Sequence, residues 1–229
     1  MMLWFAMPLT ALLYLWVKKL ARRYQHPLVN PILLPALIII ALLIASGQDG
    51  GAYQAGTQPL NRLLELAVVA FALPLYQQAA KIRQQLAPIV LCCSLSALIS
   101  VGTTLVIGGI LQANPELLAS IATKSITTPL AMSVSQAMGG IPAIAAGLVI
   151  IVGMMGAIIG FPLLRWAGIH HPEAQGLAIG AGAHAIGTSA AAEEGPVQGA
   201  FASLAMVVSG IATAVLAPPL FHLYLWFMQ

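Results

Sequence analysis

Six apolar runs of helical length, Leu3 to Val17, Pro31 to Ser46, Leu63 to Gln77, Pro88 to Leu111, Ile141 to Leu164 and Val197 to Leu220, commit this chain to a lipid bilayer. In hydrocarbon every backbone N–H and C=O needs a partner inside the protein. The alternating pattern of a β-barrel is missing, so the runs are read as transmembrane helices of an all-α integral membrane protein. Only 7% of the 229 residues are charged, against about a quarter in soluble domains. The net charge of +3 lies in short loops, where basic residues set topology, and gives no nucleic-acid footprint. Lys18, Lys19, Arg22 and Arg23 follow the first run rather than precede it, so that run is expected to be an uncleaved span with its amino terminus outside.

Two further segments, Pro115 to Met138 and Ala174 to Gly195, are rich in small residues and too interrupted by polar groups to read as plain spans. A shift of about 60 residues lays Lys124-Ser-Ile-Thr-Thr128 over His184-Ala-Ile-Gly-Thr188, and each segment is followed by a long apolar span. Paired interruptions of this kind mark the central site of membrane proteins built from inverted repeats. If both segments enter and leave on one face as re-entrant hairpins, Lys18, Lys19, Arg22, Arg23, Lys81, Arg83 and Arg165 all fall on the cytoplasmic side. If the segments cross instead, Arg165 moves outside and the positive-inside bias weakens by one charge. The expected architecture is therefore about six transmembrane helices plus two broken hairpins. Residues 1–112 form a scaffold, and 113–172 and 173–229 form an inverted pair.

Lys124 is the only Lys or Arg between Arg83 and Arg165. A cation at mid-membrane costs roughly 3 kcal/mol on insertion scales, so it should pair with something or line a cavity. It heads the run Lys124-Ser125-Ile126-Thr127-Thr128-Pro129. Thr128 is expected to cap a restarting helix with Pro129 at its first position, which would aim free amides and a positive dipole end into a pocket. With the hydroxyls of Ser125, Thr127 and Thr128, that pocket is sized for a small carboxylate. The plainer alternative is a snorkelling lysine and hydroxyls bonded back to their own helix. On the second segment, His184 is either an anion donor or a packing histidine. Its correspondence with Lys124 favours the first reading, and Gly187, Thr188 and Ser189 join it as candidate substrate-binding residues.

Other polar residues carry less. Glu193 and Glu194, before Gly195-Pro196, read as solvated caps or gating groups; His26, His170, His171 and His222 lack metal-ligand spacing. Cys92 and Cys93 are adjacent and read as ordinary lipid- or helix-facing thiols. Asn30-Pro31 opens the second run, and Glu65 lies three residues after Arg62, within pairing reach. Trp4, Trp16, Trp166 and Trp226 fall near span ends, as in an aromatic belt. A hydrolase built on His184 and Ser189 is disfavoured, because five positions along a helix separate two side chains by about 140°.

The Lys124–Pro129 run, Gly139-Gly-Ile-Pro142, the His184–Thr188 run, Pro27-Leu-Val-Asn30-Pro31 and Pro74-Leu-Tyr76 together resemble the LrgB/CidB membrane-protein family, which includes the carboxyl-terminal part of the plastidic glycolate/glycerate translocator. The resemblance implies a multi-pass protein of the bacterial inner membrane that is not an enzyme, uses no cofactor, and works in a homo- or hetero-oligomer with a small LrgA/CidA-type membrane protein. Combined with the paired interruptions, it leads to the expectation of a secondary transporter of glycolate-, glycerate- or pyruvate-like monocarboxylates, with proton or sodium coupling open. The rival expectation is a holin- or antiholin-like pore or regulator of murein hydrolase export and lysis.

Overall fold

The computed structural model describes residues 3–23, 33–60, 62–63 and 72–228, and these are helix, turn and loop throughout. His26, Asn30, Pro31, Glu65 and most of the run from Leu63 to Gln77 lie outside the described residues. The chain forms two compact units, Met1–Ala70 and Phe71–Gln229.

In the first unit α1 (Leu3–Arg23) packs on α2 (Leu33–Ser46) and α3 (Gly50–Gly56). Ala6 and Val17, three turns apart, are buried, while Phe5, Leu12 and Trp16 stay exposed, as suits a helix with one protein-facing stripe. Thr10 donates to the Ala6 carbonyl at 2.7 Å, and its hydroxyl also meets that of Tyr53 on α3 at 2.7 Å. The helix runs on past the predicted end at Val17 through Lys18 and Lys19 to Arg23. α2 has 14 residues, fewer than the ~20 an upright crossing requires.

The second unit opens with α4 (Ala72–Gln77) and α5 (Ala79–Gln84) and contains three long helices, α6 (Leu86–Ile110), α9 (Pro142–Trp166) and α11 (Pro196–Met228). Among the described residues these three are long and apolar enough to cross a membrane, which is fewer than the six runs suggest. Their starts lie within two residues of the predicted ones. α6 buries Ile89, Cys93, Ala97, Val101 and Leu105, a single stripe at four-residue spacing, and α9 buries Ala145, Val149 and Gly153 in the same way. α11 is the central element, packing against α4, α6 and the helices Thr128–Ala137 and Pro172–Glu194. Lipid supplies no hydrophobic drive between helices, so close approach of small residues carries this packing, and Gly199, Ala200, Ala202, Ala205 and Gly210 are all buried on α11. Trp166 and Trp226 are exposed near the ends of α9 and α11, where an aromatic belt belongs.

Candidate functional site

The first interrupted segment is two short helices, α7 (Pro115–Ile121) and α8 (Thr128–Ala137), joined by Ala122–Thr127. Asn114 caps α7, accepting from the Leu117 amide at 2.8 Å, with Pro115 at its first turn. The two helices lie against each other. Thr123 donates to the Ala131 carbonyl at 3.3 Å, and the Ile141 amide donates to Ser120 Oγ at 2.7 Å. The chain leaves α8 through Gly139, at φ +80, and Gly140, where a Cβ would sit 2.7 Å from the Ser120 nitrogen. The restart differs from the expected one by a residue. Thr127, extended at φ −63 and ψ 145, is the N-cap and its side chain makes no capping bond; Thr128 opens the helix and Pro129 follows.

The second segment is one helical element, α10 (Pro172–Glu194), broken at His184, whose φ of 41 and ψ of −138 are not helical. The chain doubles back there: a Cβ at Gly187 would lie 3.2 Å from the carbonyl oxygen of Ile179, eight residues earlier and about 12 Å away along a straight helix. Both arms reach the same stretch of α11. A Cβ on Gly180 would meet Ala202, and Thr188 donates to the Ala202 carbonyl at 3.5 Å.

Each interrupted segment places its tip on the span that precedes it. The Lys124 ammonium donates to the Ser100 carbonyl at 3.2 Å, to Ser100 Oγ at 3.3 Å and to Thr104 Oγ1, so its three protons meet three oxygens of α6. No carboxylate pairs with it among the described residues. Ser125 Oγ meets Ser100 Oγ at 2.9 Å. On the other tip, His184 Nε2–H donates to the Val149 carbonyl of α9 at 2.7 Å, and the ring lies over Gly153. Ser100 and Thr104 on α6, and Val149 and Gly153 on α9, are each a pair one helical turn apart, so the two tips dock in the same manner.

Ser125 lines a shallow, mostly apolar groove of about 470 Å³ with Cys92, Leu95, Ser96, Ile99 and Ser100 of α6 and with Ala181 and Gly182 of α10. The other predicted site residues do not converge on it. His184, Gly187 and Thr188 are buried; Thr188 donates to the His184 carbonyl at 2.8 Å and Ser189 to the Ala185 carbonyl at 3.1 Å, each within its own helical arm. Thr127 and Thr128 are half-buried and Pro129 is exposed. The residues that sequence reasoning missed are the acceptors on α6. Ser96, Ser100 and Thr104 repeat every four positions through an apolar span, and that polar stripe was the signal for them.

The mouth of α10 is ionic. Glu173, at its start, pairs with Lys81 of α5, accepts from Gln85 Nε2 at 3.1 Å and lies 3.6 Å from His171 Nδ1. Glu194, at its end, pairs with Arg165 of α9. The hydrogen bond from Lys81 holds the Glu173 carboxyl below the usual carboxylate range, against the opposing effect of burial. A depressed folded pKa contributes stability that is complete above the unfolded value, near about 4.3, and is lost as pH falls through the folded value. Thermal unfolding of the detergent-solubilised protein should therefore show a melting temperature that drops on acidification below about pH 4. Glu173→Gln should flatten that drop; an unchanged acid limb in the variant would remove Glu173 from the account.

The LrgB-like family matches residues 10–223. An uncharacterized protein of Haemophilus influenzae is 37% identical over 213 residues, covering 92% of this chain and 91% of its own. The holin-like protein CidB of Staphylococcus epidermidis is 35% identical over 219 residues, 94% of each chain, and that of Staphylococcus aureus is 30% identical over 216. No solved structure matches. These names overturn the expected monocarboxylate transporter in favour of its holin-like rival. The geometry gives a physical reason: the Lys124 ammonium, read as the seat of a carboxylate, already has its three protons on α6 oxygens. No relationship to the plastidic translocator appears among these relatives.

Proposed function

Because this chain belongs to the LrgB-like family, a group of non-catalytic, multi-pass proteins of the bacterial inner membrane, we propose that it is a holin-like protein that forms a conduit across that membrane. The observation that carries the reading is the match along 94% of both chains to a holin-like protein CidB. The groove between α6 and the two tips is the proposed path; its lining is mostly apolar, and Ser96, Ser100 and Ser125 bring three hydroxyls to it. In this reading the interrupted segments are re-entrant hairpins of opposite orientation, in the repeats 113–172 and 173–229. What supports this is that Glu173 and Glu194, at the two ends of α10, reach Lys81 and Arg165, while Gly109 at the far end of α6 lies against Tyr224 near the end of α11. Assembly with further copies or with a small LrgA/CidA-type protein belongs to the same proposal.

Purified protein in liposomes should release a trapped neutral solute such as glycerol and a trapped anion to comparable extents, because a conduit discriminates by size. Release confined to carboxylates, or no release of the neutral solute at any protein density, would overturn the proposal.

A further inference from the structure

The α10 hairpin is fastened by charge at its base and packs against its neighbours through many small residues. Its first arm lies in a channel on α9 made by Gly153, Gly156 and Gly160, where added Cβ atoms would run into His184, Ala183 and Ile179. Its opposite side rests on α11 through Gly176 and Gly180, each close to backbone atoms of Gln198 or Ala202. These small residues let the helices approach closely, with Ile179, Ala183 and His184 seated in the notches of α9. Directional contacts hold the hairpin at both ends: His184 to Val149 and Thr188 to Ala202 toward the tip, and Lys81–Glu173, Gln85–Glu173 and Arg165–Glu194 at the base. The base contacts join the hairpin to two different neighbours, α5 beside α6 on one side and α9 on the other.

We propose that these two ion pairs are a clasp that keeps the α10 hairpin seated, and that breaking them lets it withdraw from α6. The effect on permeation rests on the conduit reading above; the movement does not. Cys93 reports the movement directly. It is buried on α6 in one cluster with Ala181 of the hairpin and with Phe201 and Ala205 of α11, so withdrawal of Ala181 removes one wall of the cluster that holds the thiol. Glu173, with its side chain only 8% exposed, is the half of the clasp with more to lose when its partner is removed.

The test uses the full chain in membranes with Cys92→Ser, which leaves Cys93 as the sole thiol, since the sequence has 2 cysteines. Lys81→Gln combined with Arg165→Gln should raise the rate of N-ethylmaleimide modification of Cys93 on the order of tenfold, as expected for a local opening that has become easier. Exchanging the charges, Lys81→Glu with Glu173→Lys and Arg165→Glu with Glu194→Arg, should return the rate toward the parent value. A rate unmoved by the glutamine variant overturns the clasp. So does a raised rate that the exchange fails to restore, because that pattern reports general loosening. Solute release measured on the same vesicles separates the two proposals: an uncovered Cys93 without any change in release refutes the conduit and leaves the clasp standing.

Discussion

Gly180→Val is expected to destabilise the protein by at least about 3 kcal/mol or to prevent its accumulation, whereas Gly182→Val, two residues along the same arm, should stay within about 1 kcal/mol of the parent. A Cβ at Gly180 would fall 2.6 Å from the Cα and 2.7 Å from the carbonyl carbon of Ala202 on α11, and backbone cannot rotate aside as a side chain can. At Gly182 nothing lies within 4 Å. Thermal unfolding in detergent, followed by the loss of the monodisperse peak on size exclusion, distinguishes the two. Equal tolerance at both positions would mean that the first arm of α10 does not rest on α11 at this register.

Thr104→Val should cost about 1.5–3 kcal/mol, the scale for removing a hydrogen bond to a charged group, because it strips one oxygen from an ammonium surrounded by apolar protein. The same substitution made together with Lys124→Met should cost far less, since removing both partners leaves no uncompensated group. The expected coupling is on the order of 2 kcal/mol in a double-mutant cycle measured by unfolding in detergent. Additive single effects would show that the Lys124 ammonium does not rest on Thr104 and Ser100 of α6.

The long spans were legible because a run of apolar residues is a property of the chain itself: Pro88, Ile141 and Val197 stand within two residues of the observed starts at Leu86, Pro142 and Pro196. Both interruptions were legible for the same reason, as small and polar residues in the wrong place for lipid. The one-residue error at the restart of α8 arose because Thr127 and Thr128 are both acceptable caps, and only the backbone at ψ 145 separates them. Which residue carries the break in α10 was not legible, since glycine stands at Gly182 and Gly187 while the positive φ falls on His184.

Sequence alone therefore determined that this chain is an all-α bilayer protein, where its long helices begin, and that Lys124 needs a partner, because each follows from the cost of exposing polar groups or charge to hydrocarbon. Only the tertiary structure decided what that partner is. Ser100 and Thr104 lie about twenty residues from Lys124 along the chain and meet it because the first tip folds onto α6; Val149 meets His184 because the second folds onto α9. Residue types reveal which groups must be satisfied, but the pairing of one tip with one span depends on packing between segments, and that information resides in no single stretch of the chain.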